Sequence, residues 1–323
     1  MIYLIGMSWR HSASLGPLTL LQIGVLLGVV SAAGSAQDPV RPDMPSFKSS
    51  ATQVAVTAAV REANGTPVTT LKRDDFEILD NGSSRPITSF WFEPSAASVV
   101  VLFDRSGSMR LADKLDIGRD SVRQLLGWLD AGVDRVSLLG FDHDVARLEP
   151  FTTVPGRVLA DLANVDAFGT TALLDAMPTA ANEVADLRTR RAVVVVTDGL
   201  DTESRHTVAS VSRFAAGIDV PVYVLVTAPA VDHARLAAAT ARSTGDLAEI
   251  ARRTGGEAFV VTTASEIMKA TRTIASDLHH QYLMAFASDG TPGWHALDVR
   301  VRQQKLLVRA RTGYDAGVRT ASH

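Results

Sequence analysis

The chain has 323 residues, with a formal net charge of -3 and no cysteine. The near-neutral balance excludes a general affinity for nucleic acid. The missing cysteines exclude disulfides, thiolate zinc sites and cysteine-linked lipids, so a fold of ordinary composition must rest on its apolar core.

The first predicted element is a leader. Arg10 and His11 precede a mostly apolar stretch, Leu15 to Ala33, which ends in Gly34-Ser35-Ala36. Small residues at those positions match a signal-peptidase site, with cleavage after Ala36. A retained membrane anchor is the alternative, because the stretch approaches spanning length. Residues 37–50 carry Pro39, Pro42 and Pro45 among polar residues and read as an extended linker. "TQVAVTAAVRE" (52–62) alternates like a strand. "DDFEILDNGSSRPITSFWFE" (74–93) reads as two strands around the Asn81-Gly82 turn.

The pattern then changes to alternating strands and helices. Ser98 to Phe103 is a continuous apolar run, expected for a strand covered on both faces. Lys114 to Leu129 has helical spacing, with Leu115, Val122, Leu125, Leu126 and Leu129 on its apolar face. Strands are expected at 135–141, 147–152, 191–197, 220–226 and 257–261, and helices at 157–163, 172–187, 208–216, 246–254 and 264–278. After Leu278 three more strands are predicted, "HQYLMAFAS", "WHALDVRVR" and "KLLVRART". Alternation of this kind predicts an α/β class with a doubly wound, mostly parallel sheet. The β segments at both ends are each too small to be stable alone. They are expected to combine into one small β-sandwich-like module.

In such a sheet, functional groups gather at the carboxyl ends of the strands. "LFDRSGSM" delivers Asp104, Ser106 and Ser108 at one such end, and "TDG" delivers Asp198 at another. "FGTTALLDAM" places Thr170 and Thr171 at a helix start. Two carboxylates with several hydroxyls form a hard, all-oxygen donor set suited to Mg²⁺ or Mn²⁺ and not to zinc. Helix capping is the plain alternative for Asp104, Ser106 and either threonine. Asp142 and Asp144 with His143 read as solvated loop residues. His279 and His280 read as structural or solvent-facing at the start of a strand, and "LRTRR" (187–191) as the basic end of a helix. No serine-hydrolase elbow, Walker loop or aspartyl-phosphate motif is present, so no enzyme is expected.

"DRSGS" resembles the Asp-x-Ser-x-Ser motif of the von Willebrand factor type A domain. The threonine before a helix and the aspartate of "TDG" are similar to that family's second and third elements, in the same order. The resemblance implies a metal-ion-dependent adhesion site formed by Asp104, Ser106, Ser108, Thr171 and Asp198, with Thr170 as runner-up to Thr171. It further implies that the metal accepts a Glu or Asp carboxylate from a protein partner. Under it, Asp104 is the main anionic anchor, Ser106 and Ser108 supply neutral oxygens, and Asp198 acts through water. Arg105 either fits the loop or meets an acidic partner. The flanks, "DFEILDNGSSRPITSF" and "LVRARTGY", are similar to the VWFA-related group known mainly from acidobacterial proteins, which is predicted to be exported. A periplasmic single-metal hydrolase and a scaffold with an idle metal site are the alternatives. The chain thus divides into a signal peptide (1–36), a linker (37–50), an N-terminal β segment (51–95), a type A domain (96–278), a C-terminal β segment (279–316) and a tail (317–323). The expected location is secreted or periplasmic.

Overall fold

The computed structural model describes residues 53–93, 95–228, 233–303 and 305–316, without the side chains of 233–243. The expected signal peptide, linker and tail lie outside the described residues. Among the described residues, no helix is long and apolar enough to cross a membrane.

The N-terminal segment forms β1 (Gln53–Arg61), β2 (Phe76–Asp80), β3 (Ser83–Arg85) and β4 (Ile87–Trp91). Asn81 and Gly82 both take positive φ, 50° and 79°. That is the backbone of a type I′ hairpin, whose twist matches the strands it joins. The run after the turn, read as one strand, is two. Pro86 separates β3 from β4, since it has no amide to give the ladder. The chain then changes sheets.

The α/β body follows as β5 (Ala97–Asp104), α1 (Lys114–Leu126), β6 (Arg135–Phe141), β7 (Val145–Thr152), α2 (Pro155–Ala163), α3 (Leu173–Ala185), β8 (Arg190–Thr197), α4 (Val208–Gly217), β9 (Val222–Thr227), α5 (His233–Thr254), β10 (Ala258–Val261) and α6 (Ala264–His279). Helix α5 begins well before the helix expected at 246–254. The sheet order is β10-β9-β8-β5-β6-β7. All pairs are parallel except β6 with β7. All eight residues of β5 are buried, as the unbroken apolar run requires. Val99, Val101 and Phe103 pack with Val122, Leu125, Ile267 and Ile274 on one face. Val100 and Leu102 pack with Leu173, Met177, Val211 and Ile250 on the other. Each such side chain contributes on the order of 2 kcal/mol by leaving water. Between β8 and β6, the central strand β5 is covered on both faces, and its carboxyl end lies at the carboxyl-terminal side of the sheet.

The C-terminal segment adds β11 (Gln281–Ala287), β12 (Gly293–Val301), β13 (Leu307–Ala310) and β14 (Gly313–Ala316). The two ends of the chain interleave in two antiparallel sheets, β13-β1-β11-β4 and β14-β12-β2-β3. Between them lies one core containing Val56, Phe76, Ile78, Tyr282, Met284 and Phe286.

The α/β body is therefore inserted into the β module, and one buried side chain ties the crossing points. Arg190, expected at the basic end of a helix, instead opens β8 and is 1% exposed. It donates to the carbonyls of Glu93 (2.6 Å) and Gln281 (3.3 Å), where the chain enters and leaves the body, and to Leu278 (3.1 Å) and His279 at the end of α6. Burial pushes its guanidinium down to about 10. Arg191 does serve helix ends, donating to Ala185, Leu187 and Ile218 carbonyls. The two histidines expected at a strand start instead close α6. His279 lies 2.8 Å from the Asp134 carboxylate, a partner 145 residues away that its local spacing could not reveal.

Candidate functional site

The site begins where β5 stops. Asp104 has no exposed surface. Its Oδ1 accepts the Ser106 amide at 2.8 Å, and its Oδ2 accepts the Thr197 hydroxyl at 2.6 Å from the end of β8. The carboxylate thus turns its own loop and reaches across to the neighbouring strand. It caps no helix. The N-cap of α1 is Asp113, and the N-cap of α3 is Ala172, neither with a side-chain cap bond.

Beyond Asp104 the chain makes a short 3-10 turn, Gly107–Arg110. The turn brings the Ser106 and Ser108 hydroxyls within 3.1 Å of each other. The Gly107 amide donates to the Gly169 carbonyl at 3.0 Å. A Cβ on Gly107 would stand 3.2 Å from that same oxygen, so glycine allows the two loops to meet. The second loop carries the threonines, which differ in environment. Thr170 is exposed and its hydroxyl donates to Glu203 at 2.7 Å. Thr171 is 3% exposed. Its backbone is strapped from both sides by Thr202 and Glu203.

Asp198, one residue past β8, is 2% exposed. Its Oδ1 accepts the Leu200 amide at 3.2 Å, and its Oδ2 accepts Lys114 Nζ at 2.8 Å. Lys114, read from sequence only as the start of a helix, is thus part of the site. A signal for it existed. Lys114, Gly118, Ser121 and Val122 share the i, i+4, i+7, i+8 spacing of a buried face, and all four are buried.

Arg105 turns away from the oxygens. Its Nη2 lies 3.0 Å from Asp142 Oδ2, and its guanidinium stands 5.6 Å from the centroid of the Phe168 ring. It therefore fits the loop. Asp142 is 1% exposed, not a solvated loop residue as expected. Its Oδ1 accepts the Asp144 amide, and its carbonyl accepts the Ala172 amide. It is buried because it holds three loops together. Asp144 is exposed, as expected.

Burial is the main cause that pushes the Asp104 carboxyl up to about 6. Hydrogen bonds from Thr197 and Ser106 oppose it, and Asp198 adds a smaller upward push. The chemistry offered is two buried carboxylates with hydroxyl oxygens beside them, a hard donor set. The Ser106 and Ser108 hydroxyls hydrogen-bond to each other. Among the described residues, two clusters of three His, Asp or Glu side chains close enough to share a metal, Asp80–Asp289–His295 and Asp130–Asp134–His279, lie elsewhere.

Residues 99–200 match the family model of the von Willebrand factor type A domain. The central α/β body has a von Willebrand factor type A fold. Solved structures similar to this chain include the conserved hypothetical protein BatB from Bacteroides thetaiotaomicron, 21% identical, with a TM-score of 0.46, over 56% of this chain and 98% of that one. A von Willebrand factor type A protein from Catenulispora acidiphila is 10% identical, with a TM-score of 0.47, over 84% of this chain and 74% of that one. The PilB minor pilin from Streptococcus sanguinis is 15% identical, with a TM-score of 0.40, over 58% of this chain and 63% of that one. No curated protein matches the chain. The matched stretch of the type A domain runs from β5 to just past β8, and so contains all five oxygen-bearing residues singled out from sequence.

Proposed function

We propose that the chain is an exported binding protein, not an enzyme, whose oxygen cluster holds Mg²⁺ or Mn²⁺ and captures an acidic residue of a protein partner. The observation that carries this reading is Asp104. Its carboxylate is fully buried at the carboxyl edge of the sheet, and its hydrogen-bond donors are a hydroxyl and an amide, not a cation. Ionising a buried carboxylate without a counter-charge is costly, and a hard cation beside it offsets that cost. Asp104, Ser106, Ser108 and Thr171 are the residues that would hold the ion, with Asp198 orienting water around it.

The donor set fits such an ion because its neutral hydroxyls leave much of the positive charge unsatisfied. A bound metal would supply an electrophilic anchor that an incoming Glu or Asp can meet. The protein's own contribution is to keep the donors buried and fixed. Export and membership of the VWFA-related group rest on the leader pattern and the flanking motifs.

Titration calorimetry tests the reading. Asp104→Ala should abolish Mg²⁺ and Mn²⁺ binding while far-UV circular dichroism stays unchanged. Ser106→Ala should weaken binding less, since a neutral oxygen contributes less than a carboxylate. Equal metal affinity in the wild type and Asp104→Ala would reject the site. Affinity isolation from the periplasm with Mg²⁺, against a chelated control, then identifies the partner.

A further inference from the structure

The candidate cation site already contains a cation of the chain's own. Lys114 is the first residue of α1, and its side chain is 10% exposed. Its Nζ lies 2.8 Å from Asp198 Oδ2 and 3.5 Å from the Ser108 carbonyl. The placement is unfavourable on three counts. A helix N-terminus is the positive end of its dipole. An ammonium loses hydration when buried. A four-carbon stem loses rotamer freedom when fixed. The carboxylate of Asp198 is the charged group that offsets these costs, and it comes from 84 residues away.

We propose that Lys114 is an internal counter-cation that competes with the divalent metal for Asp198, weakening metal binding and leaving the loaded site net positive toward an acidic partner. This rests on the metal-site reading above. Counting charges gives the direction. Asp104, Asp198 and Lys114 together leave one net negative charge, while Arg105 and Asp142 neutralise each other as a pair. A divalent ion added to that set leaves one net positive charge. Without Lys114 the same ion would leave the set neutral. Lys114 therefore lowers attraction for the metal and raises the loaded site's attraction for a carboxylate. Asp198 does not depend on Lys114 alone for its orientation, because the Leu200 amide holds its other oxygen. Removing the lysine should thus free the carboxylate without loosening it.

The test is Mg²⁺ titration calorimetry on the full chain, together with thermal unfolding in chelator. Lys114→Met and Lys114→Gln should bind Mg²⁺ at least about tenfold more tightly than the wild type, as expected when a like charge leaves a partly desolvated site. Lys114→Arg, which keeps the charge, should stay within about threefold of the wild type. In chelator the Met variant should melt at a lower temperature, because Asp198 is left unpaired, and saturating Mg²⁺ should close the gap. If Lys114→Met does not fold, the Gln variant, which keeps one donor for Asp198, carries the comparison. Wild type that binds Mg²⁺ together with neutral variants that bind equally or less tightly would overturn the proposal and make Lys114 a positioning residue for Asp198. Absence of Mg²⁺ binding in every protein would instead reject the metal-site reading, and this inference with it.

Discussion

Asp104 keeps its proton to about pH 6 in the metal-free chain, because burial outweighs the Thr197 and Ser106 hydrogen bonds that favour its ionised form. Repulsion from Asp198 is a lesser cause, as expected when Lys114 already pairs with that carboxylate. The sign of the linkage follows. The unfolded chain releases this proton near the ordinary carboxylate value of about 3.9, while the folded chain holds it to a higher pH. The contribution to stability is therefore full below that ordinary value and is lost as pH rises through about 6. In chelator at pH 7.5, Asp104→Asn should be more stable than the wild type by about 1–2 kcal/mol. Its stability should also vary less between pH 4 and 6, as read by thermal unfolding. Asp277, also raised to about 6 chiefly by burial, will leave part of that slope in place. A less stable Asn variant would mean that the two hydrogen bonds to Asp104 outweigh its desolvation.

Strands β2, β12 and β14 meet around a buried histidine. His295 is 1% exposed, and both ring nitrogens face acceptors, Nδ1 with Asp80 Oδ1 at 2.7 Å and Nε2 with the Thr291 carbonyl at 2.7 Å. Only the doubly protonated ring donates to both. Burial opposes the charge, yet the Thr291 carbonyl and the Asp80 carboxylate outweigh it and raise the pKa above the ordinary value. Tyr314 and Arg85 also reach Asp80, and Asp289 pairs with Arg85. A raised histidine pKa contributes stability that is full below about pH 6.5 and is lost as pH rises through the folded value. The urea midpoint of the wild type should therefore fall between pH 6 and 9. His295→Gln should have a lower midpoint at pH 6 and a flatter profile. A wild-type slope that survives in His295→Gln would assign it to another group. The same network shows why Asp80 and His295 need no metal to be satisfied, although they approach ligating geometry with Asp289.

For the molecule as a whole, the interleaving of the two chain ends sets what can fold alone. Strand β1 lies between β13 and β11, and β2 lies between β12 and β3. Strands β1 and β2 thus find their main partners more than 200 residues later, with Ala58 opposite both Tyr282 and Ala310. A fragment of residues 37–94 should remain unfolded, because it keeps only the short β2–β3 hairpin of these ladders. Truncation after Leu278 should expose the same segment to protease in an otherwise folded α/β body. A monomeric 37–94 fragment with a cooperative melt would contradict the shared module.

What the sequence determined by itself was whatever local pattern encodes. The run Ser98 to Phe103 could be buried only on both faces, Asn81-Gly82 could hardly be other than a hairpin turn, and alternating strands and helices required a parallel sheet. That sheet places Asp104 and Asp198 at strand ends, so the candidate site was legible as a set of loops. Tertiary structure alone decided which polar groups leave water. Asp142 and Arg190 look like surface residues in sequence and are buried in the fold, and the helical spacing that marks Lys114 as buried does not say that Asp198 is its partner. The physical reason is that burying a charge depends on its partner, and partners are not local. Lys114 meets Asp198 across 84 residues, Arg105 meets Asp142 through a neighbouring strand, and Arg190 finds its carbonyls at both ends of the inserted body. Hydrophobic periodicity says how deeply a segment is buried, but only the folded chain says against what.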